Sequence, residues 1–178
     1  MTYEVYDPVS RQRVVFQDSG PEALVVDLFI EPGAFVREHV HPSQTETFIG
    51  VEGTFHLDVD GRRRTLGPGE TITVPRRTKH GFRDAPEAAH MHVTVTPALR
   101  LEEYFRAFLG LSRDHRLSMP PEGIPKPLLQ AAVLMDEFKS ELVAPDLPIA
   151  LQRPMWWLLA QLGALKGYRR VLPEYGVF

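Results

Sequence analysis

The stretch HVHPSQTETF, residues 39–48, sets two histidines two positions apart and a glutamate five positions after the second. Residues two apart on a strand point to the same face, so His39 and His41 present both imidazoles to one side. Pro42 and Ser43 are turn formers that let the chain double back, and Glu46 then meets the histidines from the returning strand. A later segment, VPRRTKHGF (74–82), offers His80 as a fourth ligand. Three neutral imidazoles and one carboxylate make a mixed nitrogen and oxygen site for one divalent transition metal. Such ligands suit Fe, Mn, Ni, Cu, Co or Zn without selecting among them. In six-coordinate geometry four protein ligands leave two positions open for substrate, water or dioxygen.

Outward from this stretch, the chain up to Pro97 reads as short strands split by turns. ALVVDLFIE (23–31), TFHLDVDG (54–61), ETITVP (70–75) and HMHVTVTP (90–97) are rich in β-branched and aromatic residues. Pro32-Gly33, Asp60-Gly61 and Gly67-Pro68-Gly69 punctuate them, and VDGRR reads as a hairpin turn. Many short strands at this spacing predict a sandwich or a small barrel. After Pro97 the period changes. LRLEEYFRAFLGL (99–111) carries Leu101, Tyr104, Phe105, Phe108 and Leu109 at helical spacing. LLQAAVLMDEFKSELV (128–143) predicts a second helix with Pro127 suited to its first turn, and PMWWLLAQLGALKGYRR (154–170) a third, opened by Pro154 and closed near Gly167. The expected plan is a β part over residues 1–97 and a helical part over 98–178, which packs on the barrel or on a second subunit.

The spacing around the histidines resembles the cupin superfamily. Gly33, five residues, His39-x-His41, four residues, Glu46, six residues, Gly53 follows the first cupin motif at every fixed position. Gly69, five residues, Pro75, then His80 follows the second, with Arg77 where the family usually has glycine and Asp84 where it usually has asparagine. The resemblance covers roughly residues 20–97. It implies a mainly β fold, a double-stranded β-helix (jelly-roll) barrel with the metal inside near one mouth, here followed by a C-terminal α-helical extension. It also implies His39, His41, Glu46 and His80 as ligands, the set that strand parity reaches on its own.

Parity extends to the cavity. With His39 and His41 inward, so are Phe35 and Arg37; with Glu46 inward, so is Phe48; with His80 inward, so is Phe82; Ile72 and Val74 share a face on the strand before. The expected pocket is thus apolar and aromatic around one metal, as small-molecule sites are. It comprises Phe35, Arg37, Phe48, Val74, Phe82 and also His92, held as an acid or base. Arg37 is set against two readings, a clamp for a carboxylate, enolate or phenolate and a rim arginine reaching solvent. His90 and His92 repeat the His-x-His spacing. Met91, Val93 and Val95 compete for the core from the opposite face, and with no carboxylate nearby in sequence a second metal site is not expected.

Bulk properties narrow the classes. The net charge of −3 gives no basic excess for nucleic acid, and the helical part shows no basic recognition helix. The absence of cysteine excludes disulfides, thiolate catalysis and zinc-finger sites, and fits a reducing compartment. No stretch reaches the roughly 18 apolar residues of a membrane span, and the N-terminus lacks a signal-peptide pattern, so a cytoplasmic location is expected. The expected partner is a small molecule, and homodimers are the expected assembly by resemblance. The expected chemistry is metal-dependent and oxygenase-type on an aromatic, diketone or polyketide-like molecule, with Glu46 and Arg37 as catalytic groups. The alternatives are a metal-dependent cyclase or isomerase, and a non-catalytic binding or sensor protein.

Overall fold

The computed structural model describes residues 3–145, 147–170 and 172–177. Ten strands come first: β1 Tyr3–Asp7, β2 Gln12–Ser19, β3 Leu24–Ile30, β4 Val36–His39, β5 Thr45–Glu52, β6 Phe55–Val59, β7 Arg62–Leu66, β8 Thr71–Val74, β9 His80–Phe82 and β10 Ala89–Thr96. They form a six-stranded sheet in the order β1-β2-β3-β10-β5-β8 and a four-stranded sheet in the order β4-β9-β6-β7. Neighbours pair antiparallel throughout. The expected β-barrel with a helical extension is what the chain folds into. The strands alternate as a barrel wall requires: along β10, Ala89, Met91, Val93 and Val95 are buried while His92, Thr94 and Thr96 lie on the other face. β1 and β2, which the sequence reading does not single out, lengthen the larger sheet beside β3.

Two local features set the position of the later ligand. The β6–β7 hairpin turns at Asp60 (φ 48°) and Gly61 (φ 73°), the left-handed pair that a two-residue hairpin needs. β9 lies so close on β4 that a Cβ at Gly81 would stand 2.8 Å from the Glu38 nitrogen and the Val36 oxygen. That close approach puts His80 directly opposite His39 in register. Arg77, in the place where glycine is usual in the resembled motif, keeps the left-handed turn (φ 65°), and its N–H donates to the His41 carbonyl at 2.8 Å.

Three helices follow: α1 Leu101–Arg113, α2 Leu128–Glu137 and α3 Ile149–Leu165. α2 is shorter than the period predicts. Leu142 donates back to the Phe138 carbonyl, and Val143 forms an antiparallel bridge with Val40, which draws residues 139–143 off the helix axis. α3 begins five residues earlier than expected, so Pro154 sits inside it rather than opening it. The buried Gln152 side chain explains the earlier start, since it bonds both the N–H and the C=O of Ala144 and ties the helix to the preceding loop (3.1 and 2.6 Å). Gly167 (φ 86°) ends the helical run as expected. α1 rests on β1, and α2 packs against α3. One apolar core runs from Val26, Phe48 and Val93 in the sheet through Leu101 and Tyr104 to Leu134 and Phe138 in the helices. Among the described residues no helix is long and apolar enough to cross a membrane.

Candidate metal centre

Four side chains converge as parity predicts. His39 ends β4, His41 follows it, Glu46 lies on β5 and His80 opens β9. His39 Nε2 and His41 Nε2 stand 3.2 Å apart, His80 Nε2 is 2.8 Å from Glu46 Oε2, and His41 Nε2 is 3.6 Å from the same oxygen. All four ligand atoms lie within 4.8 Å of one another. Metal–ligand bonds of about 2.0–2.2 Å require ligand–ligand separations of roughly 3–4 Å, so the spacing fits an ion at the centre.

The other ring nitrogens settle which atoms face inward. His39 Nδ1 bonds the Arg37 carbonyl (2.9 Å), His41 Nδ1 the Glu141 carbonyl (2.6 Å) and His80 Nδ1 the Thr78 carbonyl (2.9 Å). A carbonyl oxygen only accepts, so each Nδ1 carries its proton. The Nε2 atoms are then the ones aimed at one another, bare where the ring is neutral and carrying a proton where it is charged. Backbone anchors of this kind orient metal-binding histidines. Lone pairs and a carboxylate facing one point repel one another unless a metal ion or a proton lies between them. The titration follows from this. Burial, with the neighbouring His80 and His41, holds His39 well below the ordinary imidazole range. Burial opposes the Glu46 carboxylate, but hydrogen bonds from His41 and His80 outweigh it and hold its pKa well below the usual range. Burial also opposes a charged His80, and the hydrogen bond and attraction of Glu46 reverse that and raise it.

The cluster sits in the wall of a cavity of about 340 Å³. Phe35, Arg37, Phe48 and Phe82 reach that cavity, as parity predicts. Two expected pocket residues do not. Val74 lies opposite Glu46 but is buried beside it in the core and does not reach the cavity. His92 is on the outer face, because the alternation that buries Met91 and Val93 turns it away; its Nδ1 meets Asp27 Oδ1 at 2.5 Å. The carboxylate that the neighbouring sequence does not offer comes from a remote segment: Asp27 lies directly across from His92 on β3. Arg37 lines the cavity and sends its Nη1 to the Gly123 carbonyl at the exposed edge (3.1 Å).

Residues that the sequence reading does not place at the site complete it. Tyr104 and Phe108 of α1 and Trp156 of α3 line the same cavity. Burial pushes the Tyr104 phenol pKa up, against the pull of Arg37. The buried indole N–H of Trp156 has no hydrogen-bond partner among the described residues. The helical spacing of Tyr104, Phe105 and Phe108 signals an apolar face but not what that face covers.

Residues 27–96 match the family model described as "Cupin domain". Quercetin 2,3-dioxygenase of Bacillus subtilis is 28% identical over 138 residues, which is 78% of this chain and 35% of that protein. Polyketide synthase CurC of Streptomyces cyaneus is 32% identical over 69 residues, 38% of this chain and 45% of that one. The chain thus spans less than half the length of either curated relative. A crystal structure of an RmlC-like cupin from Shewanella frigidimarina shares the fold at 26% identity and a TM-score of 0.50, covering 56% of this chain and 86% of that chain.

Proposed function

We propose that this chain, which carries a cupin superfamily domain, is a metal-dependent enzyme acting on a small aromatic, diketone or polyketide-like molecule, with oxygenase-type chemistry favoured. The observation that carries the reading is the convergence of three imidazole Nε2 atoms and one carboxylate at the wall of an aromatic cavity. In this reading His39, His41, Glu46 and His80 hold one divalent transition metal. When bound, the ion supplies a Lewis acid that stabilises negative charge on a coordinated oxygen. The chain's own residues do the rest. Phe48, Phe82 and Tyr104 orient a flat substrate, and Arg37 meets an anionic oxygen at the cavity edge. Glu46, held ionised, brings the site's one negative charge to the metal. Residues 98–178 form a part of their own that covers the barrel and keeps water out, since Tyr104, Phe108 and Trp156 close one side of the cavity. Similarity to quercetin 2,3-dioxygenase supports oxygenase chemistry, and similarity to polyketide synthase CurC supports a polyketide-like substrate, on which the second reading is a cyclase or isomerase.

The test is elemental analysis of protein purified without added metal, followed by oxygen uptake with flavonols, catechols and diketones. The expected result is one equivalent of iron, nickel, copper or manganese and uptake that disappears in Glu46→Ala. Zinc without uptake would move the reading to the cyclase or isomerase, and absence of bound metal to a plain binding module. The same reading takes the protein as a homodimer, joined through the exposed Trp157, Leu158, Leu162 and Leu165 of α3. Light scattering at the mass of a single chain would refute that part.

A further inference from the structure

We propose that Asp27, His90 and His92 form a second binding site, on the outer face of the six-stranded sheet, for a divalent transition-metal ion of the zinc class. His90 and His92 lie on one face of β10, and Asp27 sits on β3 directly opposite His92. β3 and β10 are the two central strands of the sheet, so the three side chains stand on its most firmly paired backbone. His90 Nε2 is 2.7 Å and His92 Nδ1 2.5 Å from Asp27 Oδ1, and one ligand atom from each residue lies within 4.8 Å of the others.

The surroundings hold these groups in place without occupying the site. Asp27 is only 6% exposed, and its second oxygen accepts from Gln17 Nε2. The His90 ring stacks on Phe29 at 4.1 Å between centroids, with 14° between planes. Arg13 lies over the same Phe29 ring and is paired with Glu4 at 3.2 Å. Each imidazole can present the nitrogen that faces Asp27 by carrying its proton on the other ring nitrogen. Two imidazoles and one carboxylate make a three-point set for zinc, nickel or cobalt, with the remaining positions left to water. His92 is half exposed, which gives the set room to open by the few tenths of an ångström that a bound ion needs. With three ligands and no backbone carbonyl anchoring the histidines among the contacts of the described residues, this site holds its ion less tightly than the interior one.

The experiment is a zinc titration of the untagged, metal-stripped full chain, with bound equivalents counted by equilibrium dialysis and elemental analysis. Two equivalents of unequal affinity are expected. His92→Ala weakens the looser one by tenfold or more and leaves the tighter one intact. His80→Ala does the reverse, which separates this proposal from the reading of the interior site. Saturation at one equivalent in millimolar zinc, or a looser equivalent unchanged in both His90→Ala and His92→Ala, would overturn it. Should Asp27→Asn fail to fold because Asp27 is buried, the His92 variant, altered at a half-exposed position, still decides the matter.

Discussion

Residues 39–41 and 90–92 spell the same His-x-His pattern on strands of the same barrel, yet they end in different chemistry. The first pair points inward, meets Glu46 and His80, and has each Nδ1 tied to a backbone carbonyl. The second points outward, meets the Asp27 carboxylate, and has ring stacking in place of such a tie at His90. Spacing decides that two imidazoles share a face. Register decides which carboxylate they meet, and anchoring decides which nitrogen is free to bind. A motif two residues apart is therefore half of a site at most, and the packing around it supplies the other half.

Removing a ligand should break the contrast most sharply. His80→Ala is expected to cost more affinity at the interior centre than the roughly 10–100-fold that loss of a supporting partner costs. Zinc at a hundred times its dissociation constant stabilises the wild type by about 2.7 kcal/mol. That gain should shrink in thermal melts of His80→Ala to what the outer site contributes. Next comes the anchor. Val143→Pro deletes the N–H that donates to the Val40 carbonyl at 3.0 Å and so displaces Glu141, two residues away. Interior affinity should fall roughly 10–100-fold, with outer binding unchanged in the same dialysis experiment.

The pH dependence of the metal-free chain is a smaller effect. Folded His39 refuses a proton that the unfolded chain accepts near pH 6.5, so stability falls as pH drops below about 6.5. His80 has the opposite sign. Its raised value gives stability that is present below about 6.5 and lost as pH rises through the folded value. Together they predict a maximum near pH 6.5 in urea midpoints of the metal-free protein, with each pKa unit worth about 1.4 kcal/mol. His39→Ala should flatten the acid limb. Bound zinc, which replaces the proton on His80, should flatten the alkaline one. The smallest effect is expected from His92→Ala, whose influence on global stability should stay within about 0.5 kcal/mol in urea denaturation. A larger loss would mean that the outer triad supports the sheet as well.

Much of this is legible in residues 20–97. Glycine and proline punctuation gives the strands, and alternation places Phe35, Arg37, Phe48 and Phe82 at the cavity. Alternation also contains the correction for His92, since Met91, Val93 and Val95 leave it only the outer face. What stays hidden depends on contacts between distant segments. Asp27 lies 63 residues from His90, and the Glu141 carbonyl lies 100 residues from His41. No local period reports such a meeting. The helix ends slip for the same reason. Val143 leaves its helical pattern to pair with Val40, and Gln152 starts α3 early by bonding Ala144.

The oxygen that steadies His41 belongs to the main chain, so any side chain at position 141 would leave it in place. Exchanging the side chain at position 141 alone would therefore miss this link, which a change to the backbone around it, as in Val143→Pro, reveals. Inserting or deleting a single residue between 138 and 143 would shift the oxygen and expose the link at once. For anyone trimming or transplanting the helical part, the length of that connection matters more than its composition.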